Sequence, residues 1–252
     1  MADSNPLAGP RAKIKRAEHH VKDLAESVQA FRERNPNFVV SEIDPQTSAQ
    51  IFKANIGENI PLCWSTMIGD CAHNLRTALD YTVSAAVTIN RAQPTRRTGF
   101  PIGGSFNEYE SDAIGKVKGA SQKFARLVRR LNPYKGGHEA FWYIHELDRI
   151  DKHQTIIPVW AVLGTVKAIK TVGNVRTEMA SIDLYEPVDD GTILLGTWPG
   201  SGYANVEFTF EIVFNKGQIL EGKPVIPNLF QLVQFTDRVV NIFDRHIFSK
   251  RP

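Results

Sequence analysis

Residues 141–153, FWYIHELDRIDKH, carry His and carboxylate side chains three and four positions apart within an otherwise apolar helical pattern. At roughly 100° per residue such spacing stacks side chains on one face of a helix. His138, His145, Asp148 and Lys152 then fall on one side, and Tyr143, Leu147 and Ile150 fall opposite. Residues 68–81, IGDCAHNLRTALDY, repeat the arrangement: Asp70, His73, Thr77 and Asp80 form a polar stripe flanked by Arg76, with Leu75, Ala78, Leu79 and Val83 elsewhere. Polar groups inside a protein need hydrogen-bond partners. Two helices with such stripes satisfy each other by packing antiparallel, stripe to stripe, and that pairing constrains the fold more than any other feature.

The flanking sequence supplies further helices and then changes period. Ile14, Ala17, Val21, Leu24, Val28 and Phe31 recur at spacings of three and four, which predicts an amphipathic helix ended by Asn35-Pro36. His19 and His20 lie among Lys and Glu and are expected on its solvated face. Residues 37–43 and 49–56 read as strands around the turn Asp44-Pro45-Gln46-Thr47, a hairpin inserted in the helices. Pro61 opens the next helix, which runs to about residue 90, and Gly69 inside it suits the close approach of a neighbouring helix. Residues 91–104 form an Arg-, Pro- and Gly-rich loop, and Ser105 with Glu108 has capping-box spacing. A helix over 120–131 puts Phe124, Leu127, Val128 and Leu131 on one side and Lys123, Arg126, Arg129 and Arg130 on the other.

Beyond His153 the pattern becomes that of strands. Residues 155–170 form a β-branched run, 181–185 and 192–198 are short strand-like segments, and Val206, Phe208, Phe210, Ile212 and Phe214 alternate strictly. Asp189-Asp190-Gly191 and Pro199-Gly200-Ser201-Gly202 are turns between them, and a last helix covers about 228–248. No helical pattern separates the strands, so the sheet is antiparallel. The expected class is α+β: a helical bundle with an inserted β-hairpin, a small antiparallel sheet and a closing C-terminal helix. In domain terms this reads as a flexible tail over 1–10, a bundle over 11–154 and a sheet-plus-helix segment over 155–252, packed as one unit.

Composition narrows the class without naming a function. A hydrophobic fraction of 42%, a charged fraction of 23% and a net charge of +3 are those of an ordinary globular protein. Cys63 and Cys71 lie eight residues apart on one helix, which at about 1.5 Å of rise per residue separates them too far for a disulfide. Reduced thiols, no apolar leader and no run of membrane-span length lead to the expectation of a cytoplasmic protein with no membrane partner.

Three chemistries fit the paired stripes. Asp70, His73, His145 and Asp148 could ligate one divalent metal such as Zn or Mn in a hydrolase, although Glu139 and Glu146 point away from the stripe. Alternatively, with no cofactor, His73 or His145 moves a proton while Arg76 or Lys152 stabilises an anionic phosphate, and the basic face of Lys123, Arg126, Arg129 and Arg130 guides RNA. In the third, non-enzymatic reading, Arg76 pairs with Asp148 or Asp80 and each His bonds an Asp, so that the network only fixes helix register in a structural or interaction protein. No Walker loop, GxGxxG after a strand, GxSxG or paired CxxC competes with these.

HNLRTALDY over 73–81, FPI over 100–102, LNPY over 131–134 and IHELDRIDKH over 144–153 resemble, in that order, the HNLRSALDH and LHxLDxxDKHR blocks of a widespread uncharacterised bacterial family. That resemblance implies a shared helical core. More distantly, the chain is similar to HEPN-type helical proteins, whose ribonuclease members use an Arg followed four to six residues later by a His. Arg76 matches the Arg, whereas position 81 is Tyr and neither 82 nor 83 is His. The resemblance implies an RNA-binding or RNA-cleaving factor of stress or phage defence; without that His, either this copy is inactive, or Tyr81 and His73 take over the site of a metal-independent endoribonuclease, or the similarity is architectural alone. The candidate catalytic set is thus His73, Arg76, Tyr81, His145, Asp148 and Lys152. RNA and, in a homodimer, a second copy are the expected partners.

Overall fold

The computed structural model describes residues 5–162, 164–172, 175–184, 187–197 and 205–249. The fold is α+β, with helices around small antiparallel sheets and a helix at the C-terminal end. Contacts divide it into two compact units: Met1–Ala25, Ser65–Ile156 and Ile226–Pro252 in the first, Glu26–Trp64 and Ile157–Val225 in the second. This membership cuts across the division by chain order. The hairpin belongs with the later strands, and the last helix belongs with the bundle.

In the first unit, helix α1 (Ala8–Arg34) contributes its part up to Ala25. It begins within the stretch expected as a tail, because Leu7 is fully buried and the Asn5 side chain accepts the Leu7 N–H at 2.9 Å. Along the whole helix the predicted stripe of Ile14, Ala17, Val21, Leu24, Val28 and Phe31 is buried. His19 is exposed as expected. His20 is instead buried, and burial pushes its pKa below the ordinary value, with the charges of Asp70 and Asp23 opposing that shift.

Helix α2 (Leu62–Ile89) is largely apolar, with Ile68, Leu75, Leu79, Val83 and Val87 all fully buried. Short helix α3 (Phe106–Ser111) starts at Ser105, whose hydroxyl accepts the Glu108 N–H at 3.2 Å while Glu108 reaches back to the Gly104 N–H at 2.8 Å. A 3₁₀ turn over Ala113–Val117 leads to α4 (Gln122–Arg130), capped by Ser121. The loop into α5 (Glu139–His153) contains Gly136 at φ +88°. There Gly137 leaves room for the Asn132 carbonyl, 2.5 Å from where a Cβ would lie, and that carbonyl accepts the His138 N–H at 2.8 Å.

Among its described residues the second unit holds three antiparallel sheets in place of the single meander expected. Strands β1 (Val39–Ile43) and β2 (Gln50–Ala54) form the predicted hairpin. The expected run over 155–170 is divided into β3 (Pro158–Val162) and β4 (Gly164–Val172), and β5 (Val175–Leu184) pairs with β4. The hairpin is inserted between α1 and α2 in the chain, and strand β6 (Ile193–Gly196) adds to its β2 edge. The alternating run 204–214 splits likewise: β7 (Asn205–Glu207) pairs with β4, and β8 (Phe210–Phe214) pairs with β3. A single run thus serves two sheets, which periodicity alone does not foretell. Phe210, Ile212 and Phe214 are buried as the alternation predicts, and so is Val213. The turn expected at Pro199-Gly200-Ser201-Gly202 lies outside the described residues. Phe31, Phe38, Trp64, Trp160 and Phe210 pack as one aromatic cluster, with ring centroids 4.9–5.8 Å apart along Phe210–Phe38–Trp160–Phe31 and Trp64.

Helix α6 (Val225–Phe243) returns to the first unit and ends in a π turn over Asp244–Phe248. There Phe243 stacks on Phe124 at 4.6 Å and meets Phe100 edge-on, while Phe100 stacks on Phe141 at 5.1 Å. These rings hold α4, α5, α6 and the 100–102 segment around one core. No helix among the described residues is long and apolar enough to cross a membrane.

Candidate functional site

Helices α2 and α5 pack antiparallel with their polar stripes in contact, as the sequence requires. A Cβ on Gly69 would lie 1.7 Å from Asp151 Oδ1, which is the close approach expected of that glycine. One turn further along α2, and one turn back along α5, His73 Nδ1 is 2.9 Å from Asp148 Oδ1. Lys152 Nζ donates to Asp148 Oδ2 at 2.6 Å. The Asp148 side chain is only 5% exposed, whereas those of His73 and Lys152 are 49% and 51% exposed. A buried carboxylate therefore orients a half-exposed imidazole. With Nδ1–H donating to the carboxylate, Nε2 carries the lone pair.

Arg76 follows His73 by one turn and is buried. Its Nη2 donates to the Phe100 carbonyl at 2.9 Å and lies 3.1 Å from Asp80 Oδ1, which also accepts the Phe100 N–H at 2.7 Å. Arg76 and Asp80 thereby clamp the FPI segment, and the HNLRTALDY and FPI blocks meet in space. Burial pushes the Asp80 carboxyl up from its ordinary value, against the opposing pull of Arg76. Arg76 Nη1 and His145 Nδ1 are buried with no hydrogen-bond partner among the described residues. Burial, and next the Arg76 charge, push the His145 pKa down to about 4. His145 is thus neutral near pH 7 and is poorly suited to carry a proton there, whereas the His73 ring is half exposed against the Asp148 carboxylate.

The four-ligand metal reading fails on geometry. Among the described residues no group of three or more His, Cys, Asp or Glu side chains is placed to hold a metal ion. Both Asp148 oxygens are already engaged, by His73 and Lys152, and Asp70 lies toward His20 and Asp151, whose titrations it influences. Glu139 accepts the Gly136 N–H and Glu146 pairs with Arg149, so neither turns toward the stripe. His138 stands at the N-terminal cap of α5 with its ring against Phe141 and Phe235, off the line of His145 and Asp148. Tyr81 lies over Gly9 on α1. Five residues past Arg76 it is turned by roughly 140° around the helix, so it does not join His73 and Asp148. Cys63 is exposed and Cys71 is buried.

The basic face of α4 is only partly free. Lys123 Nζ donates to the His246 carbonyl at 2.7 Å and so ties down the π turn after α6. Arg129 pairs with Glu110 at 3.2 Å across half-exposed side chains, Arg126 reaches Gln122 at 3.4 Å, and Arg130 is exposed. Arg126 and Arg129 border a cavity of about 490 Å³ that shares Gly115, Lys118 and Gly119 with a second of about 610 Å³. The second shares Arg97, Thr98, Asp112 and Lys116 with a third of about 340 Å³, whose wall includes Arg76 and Asp80. Shared lining residues place the three cavities side by side, in a basic groove that reaches from α4 to Arg76. Arg96, Arg97, Lys116 and Lys118 were not singled out in the sequence. Their only local signal is the adjacent Arg96-Arg97 pair in the 91–104 loop. No family model, curated protein or solved structure matches the chain.

Proposed function

We propose that this chain is an RNA-directed, HEPN-like helical protein that cleaves RNA without a metal, with His73 as the proton-transfer group. The observation that carries the reading is the His73–Asp148 pair, a half-exposed imidazole held at 2.9 Å by a buried carboxylate. It lies one helical turn from Arg76, where the basic groove ends. The groove's cations attract a phosphate backbone irrespective of sequence. His73 Nε2 then takes the proton of a ribose 2′-hydroxyl, and the oxygen attacks the adjacent phosphorus. The bond to the 5′-oxygen breaks, leaving a 2′,3′-cyclic phosphate and a 5′-hydroxyl that takes its proton from water. The Lys152 ammonium supplies positive charge beside the pair.

The test is cleavage of a single-stranded RNA in excess chelator, with His73→Gln as the comparison. The expected result is cleavage by the parent and a loss of about 10²-fold or more in the variant, with RNA affinity kept. Absence of RNA binding by the parent overturns the reading, as does equal cleavage by the variant.

A further inference from the structure

The inner end of the groove has features that a backbone-tracking surface does not need. Arg76, Arg96, Arg97 and Lys116 border it, together with the carboxylates of Asp80 and Asp112. Asp80 is already held by Arg76 and the Phe100 N–H. Asp112 is 3.4 Å from Arg97 and pairs with it. The balance is an excess of two positive charges, contributed in effect by Arg96 and Lys116. Arg76 is 9% exposed and carries a buried nitrogen without a partner among the described residues, so its field acts with little screening by water.

The loop that presents Arg96 and Arg97 is pinned. Thr95 N–H donates to Thr98 Oγ1 at 2.9 Å, Arg97 N–H donates to Thr95 Oγ1 at 3.2 Å, and Thr98 N–H donates to the Thr95 carbonyl at 3.0 Å. Gly99 N–H donates to the Lys116 carbonyl at 3.3 Å and ties the loop to the 3₁₀ turn. The backbone that carries Arg96 and Arg97 is therefore held in place before any ligand arrives, which lowers the cost of ordering the loop on binding.

We propose that the pocket of Arg76, Arg96, Arg97 and Lys116 binds a phosphate monoester, either the terminal phosphate of an RNA strand or that of a free nucleotide. A monoester carries about −1.5 to −2 at neutral pH and matches the excess of two cations better than a singly charged backbone diester does. A volume of about 340 Å³ holds more than a bare phosphate, and the pocket adjoins the neighbouring cavity, with which it shares Arg97, Thr98, Asp112 and Lys116. The RNA-end form rests on the functional reading above, whereas the phosphate chemistry stands without it.

The experiment measures the affinity of the full chain for one short single-stranded RNA bearing a 5′-phosphate, a 3′-phosphate or hydroxyls at both ends. AMP and inorganic phosphate are tested in parallel for stabilisation against thermal unfolding. The expected result is a preference of about tenfold or more for one phosphorylated RNA, lost in R96A/K116A, with R96A alone giving an intermediate ratio. The preference ratio is read on folded protein, as checked by an unchanged unfolding midpoint. Stabilisation by AMP without any RNA binding assigns the pocket to a free nucleotide and removes the RNA reading. Equal affinity for all three RNAs, with no stabilisation by AMP or phosphate, overturns the pocket while leaving RNA binding in place. A preference that persists in R96A/K116A also overturns it.

Discussion

At the scale of single residues, His73 and His145 separate two roles that their spacing leaves equivalent. His73 is half exposed against a buried carboxylate, and His145 is a neutral imidazole packed beside Arg76. Because burial lowers the folded-state pKa of His145 from the ordinary 6.5 to about 4, the unfolded chain binds more protons between those values. Stability contributed by its neutral form is complete above about pH 6.5 and is lost as pH falls toward 4. The unfolding midpoint of the parent therefore drops across that window, and His145→Gln, which cannot take up the proton, shows a shallower drop. Identical pH profiles for the two proteins would show that His145 titrates normally. Asp148→Asn tests the other side of the pair. It keeps the size of the side chain but removes the charge that orients the imidazole, so cleavage falls about 10²-fold or more while RNA binding stays.

At the scale of elements, the α2–α5 contact depends on Gly69 lying against Asp151. Gly69→Ala would gain about 1 kcal/mol in helix propensity. Its Cβ, however, would sit within 2.8 Å of all three Asp151 carboxyl atoms, so that side chain has to turn away. The single variant is expected to be destabilised by about 1–3 kcal/mol. With Asp151→Ala added, the obstacle is gone and the double variant recovers most of that loss in a denaturant-melt cycle. Additive effects would mean that the helices can part without loss. On α4 the four basic side chains divide by what they touch. Lys123→Ala lowers the unfolding midpoint by releasing the His246 carbonyl and leaves RNA affinity nearly unchanged. Arg126→Ala with Arg129→Ala weakens RNA binding similarly across sequences.

At the scale of the whole molecule, the net charge of +3 is too small to make a general case for nucleic acid. The case rests on where the charges stand. If Arg96, Arg97, Lys116, Lys118, Arg126 and Arg129 each meet a phosphate, the slope of log K against log salt for single-stranded RNA is about −4. A slope near zero in a salt titration would mean that the groove does not track a backbone. The non-enzymatic reading shares the Arg76–Asp80 and His73–Asp148 bonds seen here. It differs in predicting that His73→Gln affects stability and nothing else.

The helices, the capping box at Ser105, the hairpin and the facing stripes of α2 and α5 were all legible in consecutive residues. Periodicity of 3.6 or 2 is a local property, and a polar stripe on an apolar helix admits few partners. The sequence by itself thus determined the α+β class and the identity of the helix pair that carries the candidate site. The tertiary structure decided which member of each stripe does what: that His145 is half-buried with its Nδ1 enclosed, that Tyr81 turns toward α1, that Lys123 is spent on the C-terminal turn, and that the 204–214 run serves two sheets. It also decided the basic groove. Arg96 and Arg97 reach Arg76 and Lys116 only because the 91–104 loop folds back against the 3₁₀ turn. Such a contact joins aperiodic segments far apart in the chain, and charges that share a cavity leave no mark in the spacing of neighbouring residues.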